Sequence, residues 1–150
     1  MLIASVNTPI GPLSVEEQDG VIVRVGWEWE REDRSEVLSE ALKQLTAYFA
    51  GELTVFDLPL SVKGSEFQRK VCDIMLAIPF GETRTYGEIA KQIGAPAQPV
   101  GNACGANPIP VIIPCHRVLG ASGLGGFSGM GGVETKVSLL KHEGAAGLLI

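Results

Sequence analysis

Thr85-Tyr-Gly-Glu-Ile-Ala-Lys-Gln-Ile93, then Gly94-Ala-Pro-Ala97, then Pro99-Val-Gly-Asn-Ala-Cys-Gly-Ala106 decide how the second half of this chain is read. A short helix, a turn of glycine and proline, and a second short helix opened by a proline have the length and punctuation of a helix-turn-helix. Such a pair docks on DNA in some proteins and is plain structure in others, and the pattern alone leaves both open. The second helix has a nearly bare face, because Gly101, Ala103 and Gly105 carry almost no side chain, at a helix cost of about 1 kcal/mol per glycine. Bareness permits either tight packing against another helix or entry into a narrow groove.

Upstream, Ser65 is suited to cap a helix whose face is Phe67, Val71, Ile74 and Met75, with Pro79-Phe80-Gly81 as its stop. Cys72 belongs to that helix as a small hydrophobe. Nearer the start, residues 2–6, 12–17 and 20–27 are rich in β-branched and aromatic residues and are separated by Pro9-Ile10-Gly11 and Asp19-Gly20. They predict a small antiparallel sheet. From Ser35, Val37, Leu38, Ala41, Leu42, Leu45, Tyr48 and Phe49 recur at helical spacing until Gly51. An extended stretch from Val55 to Val62 then leads through Lys63-Gly64 to the change in composition. The expected fold is α/β in the α+β sense. Residues 1–64 form a small N-terminal antiparallel sheet with a helix, and residues 65–150 form a mostly helical domain containing the helix-turn-helix.

The chain has 150 residues, 45% hydrophobic and 19% charged, with no apolar run near the ~18 residues that suggest a membrane span. No basic region followed by a small-residue cleavage site marks its start, so a cytoplasmic, monomeric protein without a membrane partner is expected. Cys72, Cys104 and Cys115 are an odd number without C-x-x-C spacing, and His116 and His142 are the two histidines. Neither a disulfide framework nor a metal site is expected from them. The net charge of −5 opposes nucleic-acid binding in bulk, but residues 1–64 hold five basic and eleven acidic residues while residues 65–150 hold seven and six. Much of the acidity lies in Glu28, Glu30, Glu32, Asp33 and Glu36, which read as a solvated loop and helix start.

Chemistry concentrates in Ile112-Ile-Pro-Cys-His-Arg-Val118, where an apolar strand is expected to deliver Cys115, His116 and Arg117 in succession. A thiol of ordinary acidity is mostly protonated at neutral pH, so a nucleophilic role needs a neighbouring base or cation, and histidine and arginine are suitable types. In an extended strand adjacent side chains face opposite ways, so His116 reaches Cys115 only if the chain turns there or a water bridges them. On composition alone, a buried inert cysteine remains the competing reading.

The longer string Asn107-Pro-Ile-Pro-Val-Ile-Ile-Pro-Cys-His-Arg-Val118 closely resembles the active-site signature of the O6-alkylguanine-DNA alkyltransferases, the methylated-DNA–protein-cysteine methyltransferase family. The resemblance extends through Phe80-Gly-Glu and Tyr86-Gly-Glu-Ile-Ala upstream, and through Gly125-Gly-Phe-Ser and Leu139-Leu-Lys-His-Glu-Gly144 downstream. It covers residues 65–145 closely and the first part in general layout, where it implies a ribonuclease-H-like domain. It implies DNA repair by a single irreversible transfer of the alkyl group of O6-alkylguanine, with O4-alkylthymine as a second candidate, to Cys115 after minor-groove binding and base flipping. No cofactor is implied, and the partner is double-stranded DNA carrying the lesion.

The same resemblance gives His116 the part of base acting through a water, Glu143 that of its orienting carboxylate, and Tyr86 that of hydroxyl donor to the flipped guanine. Asn107 would hold the turn before the active-site segment and Arg117 a structural ion pair. The backbone at Cys115 and Val118 would accept from the exocyclic amine, Ser128 would donate towards O6, and Phe127 would wall the pocket. Gln98, Pro99, Gly101, Asn102, Ala103 and Gly105 would meet DNA. Three departures from the family pattern stand out. Gln98 replaces the arginine that usually enters the base stack, Phe127 replaces a tyrosine, and Ser128-Gly-Met-Gly-Gly132 is about two residues longer than usual. Two rival readings are a lesion-binding or signalling module with a vestigial cysteine, and alkyl transfer from a small-molecule donor. The glycines between Gly120 and Gly132 give no G-x-G-x-x-G in any register, so a loop over the pocket is expected rather than a dinucleotide cradle.

Overall fold

Alternating burial along the first three strands is what gives the N-terminal part its layers. The computed structural model describes residues 1–121, 123 and 132–145, which divide into two compact units, Met1–Lys63 and Gly64 onward. In the first unit β1 (Leu2–Thr8), β2 (Gly11–Gln18) and β3 (Val21–Gly26) form an antiparallel sheet in the order β1-β2-β3. β1 and β2 pair from Leu2↔Glu17 to Thr8↔Gly11, and β2 shifts register against β3 at Glu16/Glu17. Gly11 has φ 101°, a conformation that suits glycine at the first hairpin turn.

Ser35 caps α1 (Glu36–Phe49), its hydroxyl accepting from the Leu38 amide at 3.0 Å. Leu38, Ala41, Leu45 and Tyr48 form the buried stripe of α1, and the sheet supplies Ile3, Leu13, Val15, Ile22 and Val25 to the same core. The acidic run is more than a solvated loop. Ser5 Oγ accepts from the Glu30 amide and donates to the Arg31 carbonyl, both at 2.9 Å, and Asp33 Oδ2 accepts from the Ile3 amide at 2.9 Å. These bonds fasten residues 30–33 along the open edge of β1, where unpaired donors would otherwise face solvent. The stretch 55–62 is not a strand: it meets β3 through a single bridge, Ile22↔Leu60. It is held instead by the buried Gln44, whose amide donates to the Asp57 carbonyl and accepts from the Asp57 amide.

The second unit runs α2 (Glu66–Leu76), β4 (Arg84–Thr85), α3 (Tyr86–Ile93), α4 (Ala97–Gly105), a 3₁₀ turn (Cys115–Arg117), β5 (Val118–Leu119) and α5 (Val133–Glu143). Ser65 caps α2, and Val71, Cys72 and Met75 are its buried face. Thr85 caps α3 in a capping box with Glu88, and Gly94 ends it in the left-handed conformation. α4 starts two residues earlier than its proline suggested. Pro96 is the N-cap and Pro99 the third helical residue, still within the first turn, where a missing N–H leaves no helical bond unmade. The two-residue parallel ladder β4–β5 pairs Arg84 with Val118 and Thr85 with Leu119, an element that sequence periodicity cannot reveal at that length. Among the described residues no helix is long and apolar enough to cross a membrane.

The capping box is the local device that starts the helix-turn-helix. Thr85→Ala is expected to lower stability by about 1 kcal/mol while Thr85→Ser changes it little; urea unfolding of the three proteins measures this, and equal losses in both variants would assign Thr85 to packing instead.

Candidate active site

Three prolines and an asparagine turn the expected strand before Cys115 into a compact loop. Asn107 Nδ2 donates to the Ile113 carbonyl at 2.8 Å and its Oδ1 accepts from the Ile109 amide at 3.0 Å, so one side chain clamps both ends of the loop. Inside the clamp Val111 is buried with φ 71°, an outlier for a β-branched residue that the surrounding bonds must hold. Pro114, at φ −80° and ψ 68°, makes an inverse γ-turn, closed by the Cys115 amide donating to the Ile113 carbonyl at 2.8 Å. The 3₁₀ turn follows at once. Its three residues per revolution send Cys115, His116 and Arg117 about 120° apart instead of to opposite faces, and all three are buried.

His116 and Arg117 converge on one carboxylate. His116 Nε2 lies 2.8 Å from Glu143 Oε2, while Arg117 Nε and an η nitrogen donate to Oε1 and Oε2 at 2.8 and 2.9 Å. A guanidinium forked across both oxygens is the geometry of an ionised carboxylate, which can only accept from Nε2. The lone pair of His116 is therefore on Nδ1, which is buried and has no hydrogen-bond partner among the described residues. Burial holds the imidazole below its usual pKa against the opposing pull of Glu143, so it is neutral at neutral pH and carries a free lone pair. Arg117 also donates to the Ile78 carbonyl at 2.7 Å, fastening the 3₁₀ turn to the end of α2.

All three thiols are raised in pKa, each chiefly by burial. Cys104 is pushed up to about 12 and stays a thiol. At Cys115 burial is opposed by a hydrogen bond from the Asn107 side chain, by the charge of Lys136 and by backbone donors at Cys115 and His116. Tyr86 opens α3 directly after β4, and the β4–β5 ladder fixes that opening beside the segment that follows Arg117. Its phenol is raised in pKa by burial and by Cys104 and Cys115, and remains a proton donor.

Cys115, His116, Arg117, Glu143, Asn107 and Val118 are thus gathered by side-chain and backbone bonds within one unit, with Tyr86 tied to them by the ladder. The Val118 carbonyl already accepts from Lys136 Nζ at 2.6 Å. Phe127 and Ser128, and most of the glycine-rich loop, lie outside the described residues. On α4 the exposed residues include Gln98, Pro99, Asn102 and Gly105, with Gly101 half-buried beside them. A methyl group at Gly101 or Gly105 would meet nothing within 4 Å among the described residues, so helix packing does not explain their bareness. Ala103 leaves this set: it is buried against α2, where its carbonyl accepts from Gln68 Nε2 at 2.8 Å. His142 is half-buried, edge-on to Phe80, and not a freely exposed helix residue. Lys136 escaped the sequence reading, though it shares the spacing of Leu140 and Glu143 on the buried face of α5. No cluster of metal-ligating side chains occurs among the described residues.

The chain matches the ribonuclease-like domain of 6-O-methylguanine DNA methyltransferase over residues 1–62 and the DNA-binding domain of the same family over residues 66–145. It is 47% identical to a methylated-DNA–protein-cysteine methyltransferase of Mycolicibacterium paratuberculosis, over 93% of this chain and 90% of the relative. It superposes on Mycobacterium tuberculosis OGT, crystallised in complex with DNA, with TM-score 0.84 and 46% identity, over 95% of this chain and 92% of the other. A Methanococcus jannaschii O6-methylguanine DNA methyltransferase is similar at TM-score 0.68 and 31% identity, covering 93% and 92% of the two chains.

Because the pKa of His116 is lowered by folding, the unfolded chain binds its proton more readily. The contribution is fully present above the unfolded pKa of about 6.5 and is lost as pH falls below it towards the folded value. Denaturation between pH 7.5 and 5 should therefore record a loss of stability that is smaller in His116→Asn; equal slopes in both proteins would place the sensitivity elsewhere.

Proposed function

The chain belongs to the 6-O-methylguanine DNA methyltransferase family, as a DNA-repair protein that transfers an alkyl group from DNA to a protein cysteine, and we propose that Cys115 is the acceptor and O6-alkylguanine the substrate. O4-alkylthymine is a second candidate. The observation that carries the assignment is the buried 2.8 Å contact of Glu143 with His116, which stands next to Cys115 in the 3₁₀ turn, where Asn107, Lys136 and backbone donors oppose the effect of burial on the thiol. His116 Nδ1 takes the Cys115 proton through a water, and Glu143, held by Arg117, stabilises the imidazolium. The thiolate then attacks the alkyl carbon. A sulfur–carbon bond forms, the carbon–O6 bond breaks, and the electron pair stays on the guanine, where the Tyr86 phenol donates a hydrogen bond to the developing charge. The product thioether has no route back, so each molecule reacts once. We assign Phe127 and Ser128 to the pocket wall, and Gln98, Pro99, Gly101, Asn102 and Gly105 to the minor groove, where bare residues permit close approach. The protein works as a cytoplasmic monomer in this reading.

Cys115→Ala is expected to abolish the gain of alkyl mass from a methylated duplex oligonucleotide, whereas Cys72→Ala and Cys104→Ala retain it. Peptide mass analysis decides: alkyl groups on Cys72 or Cys104 of the native protein, and none on Cys115, end the assignment.

Base flipping gives a second test. Opening a pair costs a few kcal/mol, and a side chain entering the vacated stack offsets part of it; glutamine has a smaller plane than arginine and no charge. Gln98→Arg should raise the rate on duplex by about threefold or more and leave the reaction with free O6-benzylguanine unchanged, since a free base needs no flipping. An unchanged or slower duplex reaction would remove Gln98 from that role.

A further inference from the structure

The helix assigned to the minor groove is, by its own sequence, a weak one. α4 carries Gly101 and Gly105 within nine residues, its N-cap Pro96 makes no side-chain cap bond, and it ends at Ala106 without a left-handed glycine. α1, α2 and α3 each start on a side-chain cap, whereas α4 is held from outside. Val100, Ala103 and Cys104 bury its inner face, and Gln68 of α2 supplies a hydrogen bond, its Nε2 donating to the Ala103 carbonyl at 2.8 Å. The last carbonyls of a helix have no partner within it. The amide four residues beyond Ala103, that of Asn107, donates to the Cys104 carbonyl at 3.3 Å, so Gln68 takes the place of the missing turn. Its own side chain is fixed in turn: Nε2 also donates to Cys72 Sγ at 3.7 Å, one turn along α2, and a methyl group at Gly64 would lie 3.2 Å from its Cγ.

We propose that Gln68 is a positioning residue for the reaction on duplex DNA: through the Ala103 carbonyl it sets where the end of α4 stands on α2, and so how the helix that meets DNA is joined to the loop that carries Cys115. This rests on the reading that Cys115 accepts the alkyl group and that α4 meets DNA. Ala103 lies four residues before Asn107, whose side chain clamps that loop at Ile109 and Ile113. Gln68 thus acts at a joint, with the exposed residues of α4 on one side and the clamp on the other. A lesion in a duplex must be held by α4 and reach Cys115 at the same time, so a shift at the joint misplaces the reacting carbon relative to the thiol. A displacement of about 1 Å in such a geometry can slow a reaction about a hundredfold. A free base makes no use of α4. Gln68 touches no reacting atom and no proton passes through it. A glutamine that only filled space between α2 and α4 would be replaced by methionine, which is of similar length and donates nothing.

The experiment compares the full-length protein with Gln68→Met, which keeps the length of the side chain without the donor, and Gln68→Glu, which sets a carboxylate against the carbonyl. Single-turnover rates are measured at saturating methylated duplex oligonucleotide and with free O6-benzylguanine, and amide hydrogen exchange is followed in peptides covering α3 and residues 97–107. Gln68→Met should lower the duplex rate at saturation about tenfold and Gln68→Glu should lower it further, while both react with the free base within about twofold of the native rate. Exchange over residues 103–107 should quicken in both variants, with that of α3 unchanged. A native duplex rate in Gln68→Met, an equal slowing of the duplex and free-base reactions, or native exchange over residues 103–107 overturns the proposal. If the native protein takes no alkyl group on Cys115, the functional reading is what fails, and the exchange still decides whether Gln68 holds the end of α4.

Discussion

A single carboxylate, Glu143, holds the second unit's site together. It sits at the last residue of α5 and is shared between His116 and Arg117, while Arg117 reaches on to the Ile78 carbonyl at the end of α2. Buried ions are costly to desolvate, and a forked arginine with both oxygens occupied is the arrangement that compensates them. Removing either partner would leave the other uncompensated, typically a loss of about 3–5 kcal/mol. The same bond that fastens three segments thus sets the tautomer of the histidine beside Cys115. Stability and chemistry depend on one oxygen pair.

Around that anchor the chain uses short, stiff connections rather than long elements. The Asn107 clamp, the γ-turn at Pro114 and the 3₁₀ turn leave Cys115 little freedom, and the two-residue ladder of β4 with β5 brings the start of α3 to the same place. Positive φ at buried Val111 is the cost of making the loop this tight. Strain of that kind persists only where neighbouring bonds over-determine the backbone, and here the asparagine supplies two of them.

How much of this could be read from the residues follows from the range of the forces involved. Ser35, Ser65 and Thr85 announced three helix starts because capping is a local hydrogen bond between a side chain and an amide three residues on. The hairpins were legible in Asp19-Gly20 and in the alternation on either side of it. Pro99 misled by one position class, since proline is tolerated throughout the first turn and not at its first residue alone. The apolar run before Cys115 suggested a strand, and its prolines with Asn107 made a loop; the deciding bonds join residues six apart and have no periodic signature. Residues 55–62 were read as extended, yet tertiary bonds to Gln44 and Ile22 hold them. The site residues themselves came from resemblance to a family motif, and Lys136, a charge on an apolar face, was visible only once α5 was seen from the side it buries.

The raised acidity threshold of the cysteines has one more consequence, for a protein that acts once per lifetime. A thiolate exposed at rest would react with whatever electrophile arrived first, and the molecule would be lost without a lesion removed. Burial pushes the Cys104 thiol up to about 12 and raises that of Cys115 as well, opposed there by Asn107, Lys136 and backbone donors close by. If Cys115 is the acceptor, as proposed above, it is in this sense kept latched, because its anion is opposed by burial and supported from inside the fold. In that reading, selectivity against small alkylating agents would arise before any substrate is recognised, from the cost of placing a negative charge where water cannot follow.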